Sequence, residues 1–387
     1  MRIVMVINQR LHVENAIKTH VFELFSNLAK MSEISLIMPR PTIEIPKREN
    51  IFVYAKYKIP IPFFNLLFLQ IEQFCFLFKF CIQKKPNIIY SRFSYFSFAT
   101  PIISRLFDIP LIIEINGILT DELKITRRSR IKYRISKFFL KLSELVNYSI
   151  AKKIVAVTPG IQNYIQMNYN YKHDDIEIIP NGVNSDLFKP IEPIVAKNCI
   201  GLEERKRYIG FTGNLAGWQG LESLIQAVPK ILKVYPNVHF IIVGEGQLKQ
   251  DLIDLTEQLQ ISDKITFTGA VPYEKVPYYI NACEICVVFK KSIQSGYSPL
   301  KLFEYLSCGR PVVASNVPGF EIIEDFDAGL LAESDNIEDL SSKIITLLEN
   351  DLLRSKMGKN GRELVINEYT WEASAKKIIR IGHQIIK

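Results

Sequence analysis

Short runs of uninterrupted apolar residues recur along this chain, each followed by a polar or glycine-containing loop and then by helical spacing. Arg2 to Ile7 is the first run, the loop from Asn8 to Asn15 follows, Ala16 to Met31 repeats apolar residues three and four apart, and Ser35 to Met38 is a second strand. A run without alternation suits a strand buried on both faces, and the order strand, loop, helix, strand predicts a parallel, doubly wound sheet. Pro86 to Tyr90, Pro110 to Ile115, Lys153 to Val157 and Ile176 to Ile179 extend it. A poorly patterned stretch, Ile191 to Arg207, reads as a linker. The same rhythm then restarts with strands at Tyr208 to Thr212, Val238 to Val243, Ile265 to Gly269, Ile285 to Phe289 and Pro311 to Ala314. Two similar α/β domains follow, with no short-period repeat.

Two segments break this pattern. Ile59 to Lys85 is dense in Phe and Leu, but Asn65, Gln70, Glu72, Gln73 and Lys79 interrupt it. No uninterrupted apolar run there approaches the roughly 20 residues needed to span a bilayer. It predicts a helix lying in a membrane surface or against the domain, and both readings stay open. Lys124 to Lys141 carries eight Lys and Arg and no acid, interleaved with Ile, Tyr, Phe and Leu. That is a basic amphipathic helix, suited to an anionic membrane surface or to a solvated face. No recognition motif accompanies the charge, so nucleic acid is not expected as a partner.

Composition sharpens this in three ways. The 387 residues have room for two domains. A net charge of +8 and a pI near 9.0 favour anionic partners. Six cysteines without regular spacing point to a reducing compartment. Cys283-x-x-Cys286 lacks a second pair and is not read as a metal site. The apolar start Met1 to Ile7 is too short for a secretory signal, so a cytoplasmic location is expected, peripheral on the inner face of the cell membrane if the two unusual segments touch lipid.

Candidate chemistry concentrates at Ser295 to Ser315. Gly296, Tyr297, Ser298 and Pro299 form a tight turn before a short helix beginning near Leu300, whose first amides offer an anion site. Lys301 and Glu304 lie three apart on one helical face, so one can hold a phosphate while the other accepts from sugar hydroxyls. An ordinary loop–helix–strand step would look similar. Open α/β sheets bind ligands beyond the carboxyl ends of their strands. Loops in that position carry Gly213, Asn214 and Gln219, then Gly244, then Val271, and in the first domain Glu114-Ile115-Asn116-Gly117. The first loop lacks G-x-G-x-x-G, so a dinucleotide site is not supported.

Pro180-Asn181-Gly182-Val183 through Phe188 and Pro190, Gly213 to Leu221, and Ser298 to Ala314 together resemble the retaining GT-B glycosyltransferases of family 4, also called group 1. The resemblance implies an α/β, GT-B architecture of two Rossmann-like doubly wound domains facing a central cleft. It implies an acceptor domain at 1–190, a nucleotide-sugar domain at 191–366 and a terminal helix at 367–387 that crosses back. The implied reaction moves a sugar from a UDP- or GDP-linked donor to a hydroxyl of a lipid-linked or polysaccharide acceptor in cell-envelope glycan synthesis. It retains anomeric configuration and uses no metal and no cofactor beyond the nucleotide-sugar co-substrate. Lys301, Glu304 and Asn116 would carry the chemistry, with Asn15, His20, Glu114, Asn116 and Gly117 on the acceptor side. Gly213, Asn214, Gln219, Gly244, Val271 and the run Gly296 to Leu300 would join Lys301 and Glu304 at the donor.

The chain departs from that pattern at several points. Neutral Asn214 and Gln219 stand where the family commonly has an Arg and a Lys on the diphosphate. Gly296 replaces the first of a pair of glutamates, leaving its backbone amide to reach the hexose. Asn15 and Ala16 replace a Gly pair. Two other readings of the same fold remain: a nucleotide-sugar epimerase or hydrolase, and a non-catalytic sugar-nucleotide-binding partner of another transferase.

Overall fold

A computed structural model describes residues 1–11, 16–55, 62–120, 130–169, 171–293 and 295–386. The chain divides into two compact units, Met1–Asn181 with Trp371–Lys387, and Gly182–Thr370. The Pro180 to Pro190 run therefore straddles the change of unit.

The first unit is a seven-stranded parallel sheet of β1 (Arg2–Ile7), β2 (Glu33–Pro39), β3 (Ile51–Tyr54), β4 (Ile88–Arg92), β5 (Leu111–Ile115), β6 (Lys153–Ala156) and β7 (Ile176–Ile178). Their order is β3-β2-β1-β4-β5-β6-β7. The winding reverses between β1 and β4, where Val6 lies beside Ser91. The apolar runs explain the central positions, since Ile3 to Ile7 and Leu111 to Ile115 are buried throughout. The edge strand β3 has one buried residue in four and carries no such signal.

The second unit repeats the plan with β8 (Arg207–Thr212), β9 (Val238–Val243), β10 (Ile265–Gly269), β11 (Ile285–Val288), β12 (Val312–Ser315) and β13 (Gly329–Ala332), in the order β10-β9-β8-β11-β12-β13. Here the reversal falls between β8 and β11. Both sheets are the doubly wound, Rossmann-like kind that the sequence predicts.

The stretch read as a linker is structured instead. A helix over Pro193–Cys199 packs on the Val276–Ala282 helix, with Ala196 buried and Lys197 Nζ donating to the carbonyls of Glu204 and Lys206, both at 2.8 Å. The Phe-rich segment forms a helix over Pro62–Lys84 with Leu69, Leu77, Phe80 and Cys81 in the first unit's core. By length and composition its Phe64–Lys84 part is apolar enough to cross a membrane, and a third of it is buried against the unit. Gln70 and Gln73 fix its seat. Gln73 Nε2 donates to Asn8 Oδ1 at 2.5 Å, while Gln70 Oε1 accepts from the amides of Phe98 and Ala99 at 2.8 and 3.0 Å. The basic segment forms a helix over Arg130–Ile150, and its Lys124, Arg127 and Arg128 lie outside the described residues. The Trp371–Ile385 helix packs on the Ala16–Ala29 helix within the first unit.

Candidate active-site residues

In the second unit the Leu300–Ser307 helix packs on β11 and β12 and is bonded to the carboxyl end of β8. Backbone conformation permits the approach. Gly213 has φ +135°, and a Cβ there would sit 2.7 Å from Lys301 Nζ. Gly244, also at φ +135°, lies so close to the Gly213 carbonyl that a Cβ would reach it at 2.0 Å. Both positions demand glycine.

Lys301 Nζ donates to Gln219 Oε1 at 3.0 Å and lies 3.8 Å from the Phe211 ring centroid. Burial, with Lys290 close by, pushes its pKa well below the ordinary lysine range despite the opposing charge of Glu304. Glu304 Oε1 accepts from Tyr273 OH at 3.1 Å. Burial pushes the Glu304 carboxyl up to about 7, against the pull of Tyr273 and Lys301. Beneath them the Tyr305 hydroxyl accepts from the Thr212 amide at 2.6 Å and pins the helix to the end of β8. Lys290, just past β11, lies over the Tyr297 ring at 4.1 Å, and burial lowers it to about 8. The first intrahelical bonds run from Leu302 and Phe303 to the Pro299 carbonyl, so the Leu300 and Lys301 amides precede them. Two lysines, a helix N-terminus and one carboxyl thus share one end of the sheet. That combination suits a diphosphate carrying a hydroxylated ring.

Two of the remaining donor-side amides already have partners within the chain. The Gly296 amide donates to the Ile293 carbonyl at 3.1 Å and the Tyr297 amide to Pro318 at 2.9 Å. The turn's own closure consumes the amide expected to reach a hexose. Val271 packs on the apolar cluster around Phe303, Ser298 is half-buried, and Asn214 is exposed beside Gly246. Lys290, Tyr273 and Tyr305 had not been read from sequence. Lys290 follows a strand's carboxyl end, which is the one signal that marks it.

In the first unit, buried Glu114 at the end of β5 is the centre of a closed network. Its Oε1 lies 2.6 Å from His20 Nε2 and accepts from Asn116 Nδ2 at 2.6 Å, and its Oε2 accepts from Tyr90 OH at 2.7 Å. Arg92 Nη1 lies 2.9 Å from His20 Nδ1. A guanidinium only donates, so Nδ1 accepts, and Nε2–H donates to Glu114. Burial lowers the His20 pKa in agreement with this neutral tautomer, against the carboxylate's pull. Burial would raise Glu114, but the bonds from His20 and Tyr90 and the charge of Arg92 outweigh it and keep the carboxyl below its ordinary range. The His20 ring also meets the Trp371 ring edge-on, 5.0 Å between centroids. His20 and Glu114 hold the loop, and Asn116 with Gly117 presents the polar end of β5. Asn15 lies outside the described residues. Among the described residues no group of three or more His, Cys, Asp or Glu is placed to hold a metal, and the Cys283 thiol donates to the Tyr279 carbonyl at 3.1 Å.

Comparison with known proteins fits this layout. Residues 17–187 match the family model described as Glycosyltransferase Family 4, and residues 196–364 match Glycosyl transferases group 1. An uncharacterized glycosyltransferase of Methanocaldococcus jannaschii is 28% identical over 67% of this chain and 65% of its own length. A D-inositol 3-phosphate glycosyltransferase of Segniliparus rotundus is 25% identical over 59% of this chain and 51% of its own length. A GDP-mannose-dependent phosphatidylinositol monomannoside mannosyltransferase of Corynebacterium glutamicum is 26% identical over 54% of this chain and 56% of its own. The chain thus matches less than two thirds of the length of these relatives. Among solved structures, Anabaena HepE in complex with UDP has a TM-score of 0.78 at 16% identity, each chain covered in full. Sucrose-phosphate synthase from Thermosynechococcus elongatus has a TM-score of 0.77 at 19% identity, covering 100% of this chain and 99% of that one.

Proposed function

The chain belongs to the group 1 glycosyltransferases, family 4, of the GT-B fold, and from that premise we propose that it transfers a sugar from a UDP- or GDP-linked donor to a hydroxyl acceptor. The acceptor is a lipid-linked or polysaccharide glycan of the cell envelope, met at the cytoplasmic face of the membrane, and anomeric configuration is retained. The observation that carries this reading is Lys301 and Glu304 on one helical turn, each tied to a second element, at the carboxyl end of β8.

The chemistry follows from placed charge. The donor's anomeric C–O bond breaks as negative charge gathers on the leaving diphosphate. Lys301, Lys290 and the first amides of the Leu300–Ser307 helix stabilise that charge more in the transition state than in the ground state. Gln219 orients the lysine where the family commonly supplies a cation of its own. The acceptor oxygen forms the new bond on the face the leaving group departs from, and its proton passes to a diphosphate oxygen. No protein base is required, which suits an acceptor side built on Asn116. Ionised Glu304 accepts from the ribose hydroxyls.

Calorimetric titration with UDP, GDP and their sugar conjugates tests this. One nucleotide should bind, and Glu304→Ala should weaken it by about 1.5–3 kcal/mol, the usual worth of hydrogen bonds to a charged acceptor. The anomer released in a transfer assay on lipid extracts, read by NMR, checks retention. Nucleotide binding unaffected by Glu304→Ala would overturn the site. Binding without transfer would favour the non-catalytic partner.

A further inference from the structure

Twelve of the 21 large apolar side chains exposed among the described residues sit on three helices of the first unit. On Pro62–Lys84 they are Phe64, Leu67, Ile71, Phe78 and Ile82, a stripe at helical spacing opposite the side seated by Gln70 and Gln73. On Arg130–Ile150 they are Ile131, Ile135, Phe138, Leu142 and Leu145, spaced alternately four and three apart. The short Ala99–Phe107 helix packs against both and adds Ile102 and Leu106. Phe107 meets Phe78 at 5.3 Å between centroids, and Phe96, in the loop just before that helix, meets Phe139 at 5.8 Å, so the three helices form one layer. Scattered exposed apolar residues need no explanation, but a contiguous face does.

Charge identifies what covers it. The same helices expose Lys79, Lys84, Arg105, Lys132, Arg134 and Lys141. Their two acids are Glu144, which is buried and bonded to Tyr169, and half-buried Glu72, whose carboxyl is raised by burial. No acid is exposed on any of the three. We propose that this three-helix face docks on an anionic phospholipid bilayer, with the apolar stripes entering the acyl boundary and the lysines and arginines meeting headgroup phosphates. A second copy of the chain would set cation against cation across the same face. A helical protein partner would need a matching acidic flank and would fill one seam, whereas apolar side chains here span three helices.

The surface is separate from the donor site, so its failure and that of the transferase reading are distinguishable. The experiment is co-sedimentation of the full chain with vesicles of phosphatidylcholine alone or mixed with phosphatidylglycerol, alongside nucleotide titration of the same preparations. Binding should require the anionic lipid, weaken with salt, and reverse in alkaline wash. Ile135→Glu with Phe138→Glu should abolish it, and Lys132→Glu with Arg134→Glu and Lys141→Glu should weaken it about ten-fold or more. Nucleotide affinity should be unchanged in both variants, and unchanged hydrogen-exchange protection of β1 and β4 reports that the first unit is folded. Equal binding to neutral vesicles, no binding, retention through alkaline wash, or self-association lost in the same variants would each overturn the proposal.

Discussion

A carboxyl raised to about 7 and a lysine lowered to about 8 give the donor site a narrow working range of pH. The sign follows from the charges. Glu304 gains its acceptor charge as pH rises through about 7, and Lys290 loses its cation as pH rises past about 8. Nucleoside-diphosphate affinity should therefore peak between those values and fall on either side. Calorimetric Kd measured in steps from about pH 6 to about pH 9 checks this, and a flat profile would exclude both groups from the contact. Legibility at this scale was uneven. Lys301 and Glu304 were readable because a helix fixes their mutual spacing, which is local. Tyr273, Arg92 and Trp371 reach their partners across long sequence separation, and no spacing records that. Glu114 and His20 were readable as polar residues at a strand end and a helix, but their mutual closure depends on Arg92 fixing the imidazole tautomer.

The Pro62–Lys84 helix shows how an element can satisfy two environments at once. Its apolar residues face both inward and outward, so composition alone cannot choose between core and membrane. The two glutamines decide its seat, because each is spent on buried partners of the sheet and its loops. Gln73→Leu should leave Asn8 Oδ1 without that donor and destabilise the chain by about 1–3 kcal/mol in urea unfolding. Gln83→Leu, at an exposed position of the same helix, should cost far less. Equal losses would mean that apolar packing alone seats the helix. Central strands were legible as apolar runs. The edge strands β3 and β13 and the Pro193–Cys199 helix were not, since four residues at an edge or seven in a loop are too few to leave a pattern.

At the scale of the whole molecule, sequence rhythm was enough for two doubly wound sheets, because alternating buried strands and helices admit few other arrangements. That rhythm leaves no mark of the first unit's being built from both ends of the chain, and the expectation of a terminal helix crossing back came from resemblance alone. The Trp371–Ile385 helix packs on Ala16–Ala29, and a Cβ at Gly382 would press on Ile88 and Met1. Ending the chain at Thr370 should leave the second unit able to bind nucleotide while the first loses cooperative unfolding, read by hydrogen exchange at β1 and β4; unchanged protection there would make the helix an accessory. The same arrangement sets a timetable. On a ribosome the second unit has all its strands while the first still waits for its last helix, so the earlier half of the message encodes the later half of the folding. A nascent chain would expose the Ala16–Ala29 surface until the Trp371–Ile385 helix has emerged, and that interval is when a chaperone would find it.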